Sequence, residues 1–170
     1  MAAGGITGRG MRVRRPVPQP VVRLGPDVTI TIVPDSDSHS ILVASGSGSE
    51  QWVLTTGRRG RDWLIAIAGP DGNRWEAEGP DLFEALRALR RALDPCGIRL
   101  AVNGARRDAW SSGMQRDMGE GRVVYLLTEA DSGRPPQVKT LGPASLTDIG
   151  TVAEQDEQHR RWLRSRTGTG

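Results

Sequence analysis

The stretch QWVLTTGRRGRDWLIAIAGPDGNRWEAE, residues 51–78, decides the fold class. QWVLTT (51–56), DWLIAIA (62–68) and RWEAE (74–78) carry the β-branched, aromatic and apolar residues of strands. GRRGR (57–61) and GPDGN (69–73) supply turn chemistry between them. Three strands joined by turns this short predict an antiparallel meander. Trp52, Trp63 and Trp75 fall one to each strand region and are expected to serve the sheet as core or cross-strand partners.

Upstream, DVTITIV (27–33) alternates and reads as a strand, PDSDSHS (34–40) as a turn and ILVAS (41–45) as a short strand. Downstream, PDLFEALRALRRALDP (80–95) is the clearest helix. Leu82, Leu86, Leu89 and Leu93 form one apolar stripe, Asp81 and Glu84 have the spacing of a capping box, and Pro95 with Gly97 closes the end. Arg87, Arg90 and Arg91 lie off the stripe and are expected on a solvated face. GIRLAVN (97–103), RVVYLLT (122–128) and QVKTL (137–141) read as further strands. TVAEQDEQHRRWLRSR (151–166) reads as a helix with acids early and arginines late. Its apolar stripe is thin (Val152, Trp162, Leu163), which predicts weak docking.

The expected fold is therefore α+β: a mostly antiparallel sheet packed on one main amphipathic helix, with a peripheral C-terminal helix. Residues 1–24 are expected to be a disordered basic arm rich in Pro and Arg, 25–145 one α+β domain, and 146–170 the C-terminal helix with a frayed tail.

Charge is distributed unevenly. The chain has 23 basic and 20 acidic residues, and all but one of the basic residues are arginine. Arg9, Arg12, Arg14, Arg15 and Arg23 lie in the arm, which has no acid, leaving 18 basic against 20 acidic groups in the remainder. A folded part so close to neutral argues against a general nucleic-acid surface, so any such contact belongs to the 1–24 arm. No apolar run approaches the length of a membrane span, and the first residues lack the apolar region of a secretory signal. The chain is expected to be soluble and cytoplasmic, without a membrane partner.

The densest polar stretch is NGARRDAWSSGMQRDMGEG, residues 103–121. Ser112 and Gln115 have capping-box spacing, which predicts a helical turn from Gly113 to Met118, with Met114 and Met118 burying together. Two readings of its charges remain open. In one, Asp108 and Asp117 pair with Arg106, Arg107 and Arg116 to hold a crossing loop against the sheet. In the other, the N–H groups near Gly113 and Met114 and a guanidinium from Arg106 or Arg107 hold a carboxylate or phosphate. The segment has neither GxxxxGK[ST] nor GxGxxG, which sets it apart from P-loops and dinucleotide-binding turns.

The run NGARRDAWSSGMQRDMGEGRVVYLL resembles a signature of small bacterial proteins in which N-G-A-R-x-D is followed by S-G-M-x-R-x-M-G-x-G. The resemblance covers roughly residues 74–130. It rests on Asn103, Gly104, Arg106, Asp108, Ser112, Gly113, Met114, Arg116, Met118 and Gly119. Ser111 stands where that pattern has proline. The association of such proteins with toxin genes implies an immunity-type role.

Catalytic signals are sparse. His39 and His159 lie far from the motif in sequence, Cys96 has no evident base, and Ser111 and Ser112 lack a visible His partner. No spacing suggests a metal or cofactor site. The expected function is a non-catalytic module that binds a protein, in its specific form an immunity-like inhibitor of a toxin or enzyme. Arg106, Arg107, Asp108, Ser112, Gly113, Met114, Arg116 and Asp117 would form the binding loop, with Trp110 as anchor. The alternative is an enzyme or sensor for a small anionic ligand at the same loop.

Overall fold

The computed structural model describes residues 22–24, 36–128 and 134–167. The strand expected at 27–33, most of the arm and the end of the tail lie outside these residues. The fold is α+β. Its main sheet has the order β1-β5-β4-β3-β2-β6, with every neighbouring pair antiparallel. The strands are β1 (Val22–Leu24), β2 (Asp37–Ser45), β3 (Gly48–Arg59), β4 (Asp62–Ala68), β5 (Arg74–Gly79) and β6 (Arg99–Leu100).

The meander read from residues 51–78 forms the centre of this sheet. Arg59 pairs with Asp62, so β3 runs through most of the expected turn and leaves only Gly60 and Arg61 to reverse the chain. Gly60 takes φ +63, a conformation that favours glycine. Residues 37–40, expected in a turn, instead extend β2, because Asp37 through Ser40 pair in register with Thr56 through Val53. Polar residues are tolerated there because the side chains at this end of β2 face solvent or its margin.

Helix α1 (Leu82–Leu93) follows the meander and covers one sheet face. Asp81 caps it by accepting from the Glu84 N–H at 2.9 Å. Leu86, Leu89 and Leu93 are fully buried against Leu54, Ile65, Ile67 and the three sheet tryptophans. Each such leucine contributes about 2 kcal/mol of burial. Phe83 lies off that stripe and enters a second small core with Ala109 and Val124. That core belongs to a second sheet, order β7-β8-β9, built from β7 (Ala109–Trp110), β8 (Val123–Leu126) and β9 (Gln137–Lys139). Helix α1 thus touches both sheets. A five-residue helix, α2 (Gly113–Asp117), bridges β7 and β8, and α3 (Val152–Thr167) ends the described chain.

The off-stripe arginines depart from the expected solvated face. Only Arg91 is exposed, whereas Arg87 and Arg90 are buried. The helix is covered on more than its leucine face, so positions one turn from the stripe meet protein rather than water.

Candidate functional site

Residues 103–109 are built around buried Arg90 and Gln155. The chain leaves β6, makes a 3-10 turn at Asn103–Ala105 and enters β7. Its carbonyls turn inward. Arg90 donates to the carbonyls of Gly104 and Ala105, both at 3.2 Å, and of Gly150 at 2.9 Å. The Gln155 amide, fully buried, donates to the carbonyls of Gly104 (2.9 Å), Arg106 (2.9 Å) and Ala109 (3.0 Å). Its oxygen accepts from Arg90 at 2.8 Å. These bonds fix the amide orientation, because the opposite assignment would set oxygen against three carbonyls. Burial lowers the Arg90 pKa to about 10, with Asp94 opposing.

Outside this cage, Arg106 makes a two-pronged contact with Asp108, both bonds 2.8 Å, and reaches Asp148 at 3.0 Å. Donating to the Asp108 carboxylate raises the Arg106 pKa above its ordinary value. Arg107 donates to the carbonyls of Ile149 and Thr147, both at 2.5 Å. Both guanidiniums therefore bind the crossing loop to residues 147–149.

Ser112 caps α2 by accepting from the Gln115 N–H at 3.3 Å, and the helix starts at Gly113 as expected. Arg116 turns inward to Asp81 (2.9 Å) and Glu84 (3.4 Å) at the start of α1. Asp117 is exposed, and Asp81 rather than Asp117 holds the arginine most closely. Gly121 (φ +68) follows, packed so tightly that a Cβ would lie 2.5 Å from Asp81 Oδ1. The expected burial of Met114 and Met118 is overturned, since they are 73% and 82% exposed. Helix α2 is anchored through Arg116 and Gln115, which leaves the methionines in water.

Between α2, β8 and α3 lies an open hollow of about 510 Å³. Trp110, Tyr125 and Trp162 supply flat walls, Leu127 and Pro135 further apolar surface, and Ser112, Arg134 and His159 polar groups. Trp110 is held rigidly: His159 stacks on it with centroids 3.7 Å apart, Phe83 meets it edge-on at 5.9 Å, and the Arg87 guanidinium lies 4.9 Å from its centroid. Arg87 is itself paired with Glu84 and Asp156. Burial, and then the positive charge of Arg87, lowers the His159 pKa, with Asp156 opposing. The Tyr125 hydroxyl accepts from Gln115 (3.4 Å) and Gln137 (2.9 Å), and these bonds with one from Arg134 lower its pKa. The Trp162 indole N–H is buried without a partner, and Arg166 lies 4.7 Å over its ring.

The structure divides the sequence-predicted site. Trp110, Ser112 and Gly113 line the hollow, with Met114 beside them, whereas Arg106, Arg107, Asp108 and Arg116 hold the scaffold. His159, Tyr125 and Trp162 were missed as partners of Trp110. Val152, Gln155, His159 and Trp162 recur at helical spacing, so counting polar residues as part of the α3 stripe would have exposed them. Cys96 lies apart from the hollow with its thiol exposed. Among the described residues, no group of three His, Cys, Asp or Glu side chains is placed to hold a metal ion, and no helix is long and apolar enough to cross a membrane. No family model matches the chain, and no curated protein matches it.

Proposed function

We propose that the chain is a non-catalytic protein-binding module whose binding face is the aromatic hollow and its apolar rim. The observation that carries this reading is the exposure on α2 of Met114, next in sequence to the lining Gly113, and of Met118 one turn further on, with Leu163, 44% exposed, next in sequence to the lining Trp162 on α3. Exposed apolar side chains on the elements that frame a concave aromatic surface suit an interface centre. Methionine suits such a surface because its flexible, polarisable side chain adapts to a partner. A small molecule within the hollow would leave this rim in water, whereas a protein would cover it. The resemblance to toxin-associated proteins makes an inhibitor of immunity type the specific form of the proposal, acting by occlusion.

The test is affinity capture from the native organism with wild type and a Met114→Gln/Met118→Gln variant whose fold is verified by circular dichroism. A stoichiometric partner recovered by wild type and lost by the variant supports the reading. Equal recovery by both moves the interface elsewhere, and no partner for either counts against binding of a protein.

The second reading, an enzyme or sensor for a small anionic ligand, draws on the hollow's volume, which falls in the range of small-molecule sites. Under it Arg134 would face the anion, because Arg106 and Arg107 are committed to Asp108, Asp148 and backbone carbonyls. An upward shift of Tm with aromatic carboxylates or phosphates, lost in Arg134→Ala, would favour it.

A further inference from the structure

We infer that the hollow takes an acidic segment of a partner protein that inserts an aromatic side chain between Trp110, Tyr125 and Trp162. This rests on the protein-binding reading and adds the partner's chemistry to it. Shape and lining argue for the aromatic group. The walls are rings, and the Trp110 ring is pre-positioned by His159 and Phe83, so an entering ring meets a surface that loses little freedom.

Charge argues for the acids. Arg134 is the lining residue with a full positive charge, and it is exposed. On α3 the Arg166 guanidinium lies 4.7 Å over the ring of the lining Trp162. Among the described residues, Asp156 pairs with Arg87, and Asp117 lies one turn along α2 from the lining Gly113. A partner with carboxylates flanking its aromatic anchor meets complementary charge at this rim, and a basic one meets repulsion. The same argument disfavours the chain's own residues 1–21, which carry Arg9, Arg12, Arg14 and Arg15 without an acid.

The experiment selects random twelve-residue peptides displayed on phage against the immobilised full chain, in parallel with Arg134→Glu and Met114→Gln/Met118→Gln variants. The expected outcome is enrichment of peptides with an aromatic residue flanked by Asp or Glu. A dye-labelled synthetic copy of an enriched peptide should bind with an affinity that falls about five- to tenfold in Arg134→Glu and falls further with added salt. Aromatic peptides without acid preference, or unchanged affinity in Arg134→Glu, would overturn the charge assignment while leaving the protein-binding reading in place. No enrichment above an empty surface would overturn both. Concentration-dependent self-association of wild type, absent in the methionine variant, would make a second copy the occupant and overturn the acidic partner.

Discussion

Replacing Gln155 by leucine tests the carbonyl cage at the heart of residues 103–109. Leucine has a similar volume, so the loss is mainly of hydrogen bonds rather than packing. The amide's two N–H protons serve the carbonyls of Gly104, Arg106 and Ala109, and its oxygen accepts from Arg90. Gly104 keeps a second donor in Arg90, and Arg106 keeps one in the Ala109 N–H at 3.3 Å, so one carbonyl bond, that to Ala109, is forfeited in effect. With about 1 kcal/mol for that neutral bond and about 2 kcal/mol for the bond to a charged group, the variant should lose about 3 kcal/mol. That is a large share of the roughly 5–15 kcal/mol that holds a domain of this size folded. Urea unfolding followed by tryptophan fluorescence reads it as a lower midpoint at unchanged slope. Gln155→Glu sharpens the test. A carboxylate would satisfy Arg90 but present oxygen to the three carbonyls, so this variant should also be destabilised at neutral pH and recover in part on acidification, when a protonated carboxyl can donate again. A loss below about 1 kcal/mol for the leucine variant, or a glutamate variant as stable as wild type, would refute the cage.

Three further outcomes follow from the same geometry. The His159 pKa lies below its ordinary value of 6.5, so above that pH both folded and unfolded chains carry it neutral and the stack on Trp110 contributes fully. As pH falls below 6.5 the unfolded chain takes up the proton first, and stability declines until the folded histidine also protonates. Thermal denaturation from pH 8 to 5 should show this decline, and His159→Phe, which stacks but cannot protonate, should flatten that component. Gly104→Ala would set a Cβ 2.7 Å from both Leu86 Cδ2 and Thr140 Cγ2, and should lower stability by about 1–3 kcal/mol in a denaturation midpoint. Arg106→Ala should cost about 1–2 kcal/mol, discounted for its partial exposure. Arg106→Lys should recover little, since one ammonium cannot reproduce the fork on Asp108 and the reach to Asp148. Retained binding of a selected peptide by the folded Arg106→Ala protein would separate its scaffold role from the interface.

The α+β class, the central meander, the capped leucine-striped helix and the start of α2 at Gly113 were legible in the sequence. Each depends on periodicity or local chemistry: alternation along a strand, a stripe along a helix, a serine or aspartate at a cap. The tertiary structure decided what faces those elements. Residues 122–128 and 137–141 read as strands, but only packing against Phe83 shows that they form a second sheet. Arg87 and Arg90 occupy positions that a helical wheel assigns to solvent, and their burial depends on a loop and a helix that close over them from more than ten residues away. The arginines of 103–121 signalled a polar site, yet whether a guanidinium meets a ligand or its own scaffold depends on Asp81 and Asp148, distant in sequence. Met114 and Met118 have the spacing of a buried pair, and they are exposed because Arg116 and Gln115 provide the anchoring face instead. The hollow joins Trp110 to His159 and Trp162 across some fifty residues, and no local pattern encodes a juxtaposition created only when α3 docks through Gln155.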